Sequence, residues 1–261
     1  MARAQNCVFC GASLLHNGSN EHIFPTWLLE HLKAKDRDLH HVRYENRGET
    51  IAGQRDHKFA SLVSGFVCAK CNNGWLAELE GLAKSHLVPL FDGSFAGIID
   101  QAASEIIATW MFKTALTLDS ASQSQQKRVP PDHYGSLFQN RTVPSNVATA
   151  VAYLQNDDVN WIEGASRPVK PNGLSMDRLN EYIRSAYQIS LGIGHLAWRV
   201  NYWPPWPQEY GPGFGFYDHY DASIRYIWLD GPKQITWPPP DTIDSVKQLH
   251  ESQWLRGEPF A

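Results

Sequence analysis

The feature that most restricts this chain is its cysteine usage: it holds four, paired as Cys7-Val-Phe-Cys10 and Cys68-Ala-Lys-Cys71. Each C-x2-C pair presents two thiols from one tight turn, and a tetrahedral zinc takes four thiolates at about 2.3 Å. Gly11, directly after the first pair, suits the backbone reversal that such a turn requires. With no cysteine left over, the spacing predicts one Zn2+ held by Cys7, Cys10, Cys68 and Cys71. A closed four-thiolate site has no open coordination position, so this zinc is expected to be structural and not catalytic. It would hold residue 7 beside residue 71 across a long intervening loop. Two disulfides would instead need an oxidising compartment, to which nothing in the sequence points.

A length of 261 residues suggests two domains. With 43% hydrophobic and 19% charged residues, the chain can build a packed core and is unsuited to global disorder. The net charge of −4 argues against a protein coated in positive charge for non-specific nucleic-acid binding, although a local basic groove depends on how charge is distributed. Residues 1–60 are close to neutral and carry six of the eleven histidines. No apolar stretch approaches the ~18–20 residues of a membrane helix, and the N-terminus does not read as a leader. The expectation is a cytoplasmic protein without a membrane partner; no oligomeric state follows.

Three textures divide the sequence. Residues 1–92 hold all the cysteines and most histidines. Residues 98–118 repeat apolar side chains at 3–4 spacing (Ile98, Ile99, Ala102, Ala103, Ile106, Ile107, Trp110, Met111), which predicts an amphipathic helix with a wide core-facing stripe. A polar stretch, 119–128, ends it, and Pro130-Pro131 reads as a loop. Beyond, Val147–Leu154, Tyr187–Trp203 and Arg225–Leu229 are rich in β-branched and aromatic residues and predict strands, with a short helix possible over Asp177–Arg184. The expected fold class is α+β: an N-terminal zinc-stapled module, residues 1–92, then a mixed helix and antiparallel-sheet domain, residues 93–261.

Between the cysteine pairs lies Asn20-Glu21-His22-Ile23-Phe24-Pro25, and the second pair runs into Asn72-Asn73-Gly74-Trp75. The set C-x-F-C-G, S-x-E-H-I-F-P-x-W-L and C-x-x-C-N-N-G-W-L-x-x-L-E, spread over residues 7–82, resembles the zinc-containing HNH (ββα-metal, treble-clef-like) endonucleases, in particular a bacterial HNH-like subfamily. The resemblance implies a metal-dependent phosphodiester hydrolase acting on nucleic acid, DNA before RNA, with a bacterial defence role in view. A divalent cation such as Mg2+ would act as Lewis acid and clamp, and a neutral imidazole would take the proton from water. Carried over by position, His22 would be the general base, Glu21 a ligand of the catalytic cation, and Asn72, or Asn73 after a one-residue shift, the ligand from the following helix. That helix is expected over 75–90, with Trp75, Leu76, Leu79, Leu82, Ala83 and Leu87 on one face. Glu21 and one of the two asparagines should then lie within roughly 4–6 Å to share a cation. Because adjacent residues of an extended strand face opposite ways, a twist or bulge must aim Glu21 and His22 at one phosphate.

This sequence departs from the pattern in two places. The carboxylate is Glu21 where Asp is commoner, and Val63 stands where the middle Asn of the motif often lies, with Ser61, Ser64 and His57 as the nearest polar residues. The second departure favours an alternative: a non-catalytic, zinc-stabilised module on an HNH scaffold that binds nucleic acid or protein. The stretch from Pro25 to Cys68 carries an expected helix, Trp27–Leu32, and three histidines: His40 and His41 read as surface side chains, and His57 as a solvated loop histidine, with orienting the base or touching phosphate as its alternative. Residues 93–261 offer no catalytic motif. The Trp-Pro-Pro segments at 203–205 and 237–239 read as edge strands or loops packed on the body of the protein.

Overall fold

The protein is described by a computed structural model covering residues 6–45, 50–122, 128–164, 186–205, 215–218 and 222–256, with Ser175 and Asp177. The helix expected over Asp177–Arg184 lies outside the described residues, apart from Asp177.

The first cysteine turn closes as the sequence suggests. Gly11 takes a left-handed φ of +72°, its N–H donates to the Cys7 carbonyl at 2.9 Å, and the Cys7 N–H donates to the Ala12 carbonyl at 2.7 Å. Strand β1 (Gly18–His22) follows, then helix α1 (Thr26–His31) and the hairpin β2 (Asp38–Glu45) and β3 (Thr50–Lys58). Strand β4 (Val63–Cys68) returns antiparallel to β1, pairing Glu21 with Ser64 and His22 with Val63, and a register irregularity falls between Ser19 and Glu21. The second cysteine pair opens a helical run: one turn, α2 (Ala69–Cys71), a wide π-type turn over Asn72–Leu76 kinked at Gly74, and α3 (Ala77–Phe91). The apolar face expected of this helix is largely realised, with Trp75, Leu76, Leu79, Ala83 and Leu87 buried, but Leu82 is exposed.

Helix α4 (Gln101–Ala121) is the spine of the molecule. It begins three residues later than its apolar pattern suggests. Asp100 caps it, accepting a hydrogen bond from the Ala103 N–H at 2.8 Å, while Ile98 and Ile99 belong to a short strand, β5 (Gly97–Ile99). An Asp side chain satisfies an otherwise orphaned N–H at a helix start, and here that cap outweighs the 3–4 spacing of the preceding isoleucines. Residues 107–120 are buried without interruption, so this is an all-round buried helix and not a one-faced one. Pro131 opens α5 (Pro131–Asn140) where a loop was expected; a proline in the first turn lacks only an N–H that has no helical partner anyway.

The remaining strands are β6 (Val147–Tyr153), β7 (Asn160–Gly164), β8 (Tyr187–Ile193), β9 (Leu196–Tyr202), β10 (Gly215–Asp218), β11 (Ile224–Trp228), β12 (Ile235–Trp237) and β13 (Gln253–Arg256), with helix α6 (Val246–Glu251) before the last. Seven strands form one mixed sheet in the order β11-β6-β9-β8-β7-β2-β3. All its pairs are antiparallel except β2 with β7, where the expected purely antiparallel sheet gains a parallel step. The sheet therefore crosses residue 92, and one continuous apolar core runs from Cys7 to Trp237.

Side-chain alternation sorts the two faces of the central strands. Tyr187, Ile189, Leu191, Trp198, Val200 and Tyr202 join the core with α4, whereas Ala150, Ala152, Ala197 and Ile162 pack with Val246 and Leu249 of α6. Helices thus cover both faces, which is why these strands read as continuous apolar runs. Gly194 makes the β8–β9 turn with φ +59°, and a side chain there would meet the Phe91 carbonyl oxygen at 2.4 Å. The adjacent His195 N–H donates to that carbonyl at 2.9 Å, tying the end of α3 to the sheet. Trp203 and Trp237 of the two Trp-Pro-Pro segments are buried, as packing on the body requires.

The α6 side of the sheet contains a buried imidazole. His250 Nδ1 lies 2.9 Å from Ser190 Oγ, and burial, reinforced by the cationic Arg199 and Arg128, pushes its pKa down to about 3. In the unfolded chain a histidine protonates near pH 6.5, so stability is intact above that pH and falls as protons bind the unfolded state first. His133, whose pKa is also lowered by burial, adds to the same trend. Acidification from pH 7 to pH 5 should therefore cost about 2 kcal/mol through His250 alone. Chemical denaturation at both pH values checks this, and His250→Gln should flatten the slope.

Candidate metal centre and the buried lysine behind it

The fold brings the two cysteine pairs together. The ligand atoms of Cys7, Cys10, Cys68 and Cys71 all lie within 4.8 Å of one another, and the Cys10 and Cys68 sulfurs are 3.6 Å apart. A tetrahedron with 2.3 Å bonds has edges of about 3.8 Å, whereas a disulfide would bring two sulfurs to about 2.05 Å. All four thiols are free.

Backbone donors already point at the sulfurs. The Cys68 N–H donates to Cys7 Sγ and the Cys71 N–H to Cys68 Sγ, each at 3.4 Å. The second bond is the helix cap: Cys68 is the N-cap residue, and Asn72 has helical backbone angles and closes the turn at its C-terminal end. Burial pushes the Cys7 and Cys71 thiols up; at Cys10 burial is outweighed by the Ala12 backbone and neighbouring thiols, which leave it below its ordinary value. Four sulfurs this close and this buried are a poor place for thiolate charge unless a cation compensates it, which makes the cluster a possible metal site.

The other predicted site residues lie on β1 and on the helical turn that follows Cys71. Glu21 and His22 end strand β1, and the irregularity of β1 lies before Glu21, not between the two. The residues consequently keep the opposite orientations of an extended strand: Glu21 is 3% exposed and faces inward, while His22 is exposed. Asn72 is half-buried and Asn73 exposed, both directly after Cys71. Among the described residues, neither makes a hydrogen bond to Glu21. At the middle-Asn position, Val63 is exposed opposite His22, and Ser64 turns inward to bond the Ser120 hydroxyl of α4 at 2.9 Å.

Glu21 has a partner that the sequence reading missed. Its Oε1 lies 2.7 Å from the Nζ of Lys113, a residue in the middle of α4 that is 0% exposed. The same ammonium donates to Glu80 Oε1 of α3 at 2.8 Å. One cation thus sits between two carboxylates drawn from β1 and α3. Burial raises the Glu21 pKa against the pull of Lys113; for Lys113 the two carboxylates overcome burial and keep the ammonium charged. The available signal was Lys113 itself, a lysine inside the apolar run TWMFKTALTL, since fully buried lysines are rare unless paired.

No protein-family model, curated protein or solved structure matches the chain. Among the described residues, no helix is long and apolar enough to cross a membrane.

Removing one member of a buried ion cluster strands the others. Lys113→Met should destabilise the protein by about 3–5 kcal/mol, because it leaves two carboxylates facing each other out of water. Adding Glu21→Gln should restore part of that loss. Urea unfolding of the wild type, both single variants and the double variant measures the coupling; a loss below about 1 kcal/mol for Lys113→Met would show that the cluster does not hold the fold.

Proposed function

We propose that this chain is a zinc-stabilised nucleic-acid-binding protein built on an HNH-like, treble-clef ββα scaffold, with a charge centre organised by Lys113 in place of a divalent cation. The observation that carries this reading is the Glu21–Lys113–Glu80 cluster. Glu21 is the carboxylate that the HNH resemblance assigns to the catalytic metal, and an internal ammonium already neutralises it. A divalent cation at Glu21 would have to displace a fully buried positive charge. Zinc is the metal that best suits four thiolates in a closed tetrahedral site. In this reading, the zinc, bound by Cys7, Cys10, Cys68 and Cys71, fixes the β1–β4 strand pair against the helical run that begins at Ala69. The partner is nucleic acid, DNA before RNA, as the resemblance implies.

A second reading, the metal-dependent HNH endonuclease, is favoured by one observation: His22 is exposed at the end of β1, where a general base can reach a substrate water. It requires Mg2+ or another divalent cation held by Asn72 or Asn73 with Glu21 released from Lys113.

Two measurements test the proposal. Purified protein should contain about one zinc per chain, and Cys10→Ser or Cys68→Ser should release it with loss of the N-terminal fold. A preparation that folds without metal, or one with a Cys7–Cys10 disulfide, would refute the zinc site. In a plasmid-nicking assay with Mg2+, Mn2+ or Ni2+, wild type and His22→Ala should be equally inactive while both retard duplex DNA in a gel. Metal-dependent nicking that disappears in His22→Ala would establish the endonuclease reading instead.

A further inference from the structure

Where α4 ends, the sheet keeps an open cavity of about 350 Å³ lined chiefly by His41, Arg43, Gly53, Arg55, His57 and Trp161. Strand alternation puts these residues together. In the β2–β3 register His41 faces Arg55, Arg43 faces Gly53 and Leu39 faces His57, so the odd-numbered residues share one side of the sheet. The β2–β7 register sets Trp161 beside His41 and Glu163 beside Arg43. The opposite side of the hairpin carries His40, which hydrogen-bonds Asp56 at 2.6 Å and Gln54 at 2.9 Å. The cavity therefore collects two guanidiniums and two imidazoles while the neighbouring acid turns away.

Its back wall is rigid. The His41 ring stacks on Trp161 with centroids 3.6 Å apart and planes 9° from parallel. Glu163, 0% exposed, lies 3.2 Å from Arg43 Nη1 and 3.3 Å from His41 Nε2, an arrangement that fixes both side chains. Burial would raise the Glu163 pKa, but His41 and Arg43 outweigh it and hold the carboxyl ionised. Among the described residues, the lining holds two guanidiniums, Arg43 and Arg55, and no carboxylate, with Glu163 set against Arg43 and His41. His57 is half-buried toward the mouth, where burial, then His41 and Arg55, lowers its pKa. Arg55 and Gly53 are both exposed, and no atom lies within 4 Å of where a Gly53 side chain would begin, so the cavity is open on this side. Leu62 also lines the cavity, and the next residue, Val63, is the strand partner of His22.

We propose that this cavity binds a phosphate group, either a phosphodiester of a nucleic-acid backbone or a free phosphate ester. Guanidinium donors match phosphate oxygens in a planar fork, and the His57 imidazole adds an N–H donor without requiring further charge. The pocket is distinct from the Glu21–Lys113–Glu80 cluster, and it stands whether the His22 end of β1 binds or cleaves its partner.

Titration of the zinc-loaded protein with inorganic phosphate, a 5′-phosphorylated oligodeoxynucleotide and its 5′-hydroxyl counterpart tests this. Ring 1H–15N resonances of His41 and His57 report occupancy. Both rings should shift on binding. Arg55→Gln should weaken binding about tenfold or more, and Gly53→Val, which adds bulk to the lining without changing charge, should weaken it by a comparable factor. Preference for inorganic phosphate and the 5′-phosphorylated strand would identify a terminal phosphate as the ligand, and equal binding of both strands a backbone phosphodiester. The proposal fails if no probe shifts either ring, or if Arg55→Gln and Gly53→Val both bind as wild type. It also fails if Lys247→Gln, on α6 across the sheet, weakens binding as much as Arg55→Gln.

Discussion

A charged lysine cannot sit in a protein core by itself, and Lys113 sits in the middle of α4, whose residues 107–120 are all buried. Its ammonium requires carboxylates, which come from β1 through Glu21 and from α3 through Glu80. That requirement joins three elements into one arrangement: the strand carrying Glu21 and His22, the helix following the second cysteine pair, and α4. The geometry of the β1–β4 strand pair is therefore set by two different devices. The cysteine cluster clamps one end of it, and the ion cluster fixes the inward face of its other end. Ser64 reinforces the second contact through its hydroxyl bond to Ser120.

The same helix explains why the halves of the chain share a core. Helix α4 packs on α3 and β4 on one side and on β6, β9 and β11 on the other. Strands β2 and β3, which lie between the cysteine pairs in sequence, continue the sheet built by the second half. The turn at Gly194 and His195 then docks on the last carbonyl of α3. With so many contacts crossing residue 92, movement of the cysteine-bearing part against the sheet would break strand pairing as well as apolar packing.

Burial separates the two neighbouring residues at the centre of the functional question. Glu21 and His22 are adjacent, yet one is committed to an internal ion pair and the other faces water. Alternation along a strand produces this outcome by default, and undoing it needs a bulge between the two residues. The irregularity in β1 falls one step too early to do so. The histidines of β2 and β3 follow the same rule: His40 turns outward to Asp56, and its neighbour His41 turns in to stack on Trp161.

The sequence by itself determined the cysteine cluster, because two short-range pairs with no remainder leave one way to combine. It also determined the existence of α4 and the helix after Cys71, through their apolar spacing, and the strands within Val147–Leu154, Tyr187–Trp203 and Arg225–Leu229, through their β-branched and aromatic content. Boundaries were less legible where a single side chain overrode the pattern, as at Asp100, or where proline starts an element, as at Pro131. Only the tertiary structure decided what the charged residues do. Lys113 meets Glu21 across 92 residues of chain, and β2 meets β7 in a parallel pairing across about 120. Neither contact leaves a local trace. A lysine in an apolar run announces that a carboxylate must be near, but not which one, and a strand's alternation fixes its two faces without saying what will cover them. Those choices belong to packing, where burial makes each charge find its partner.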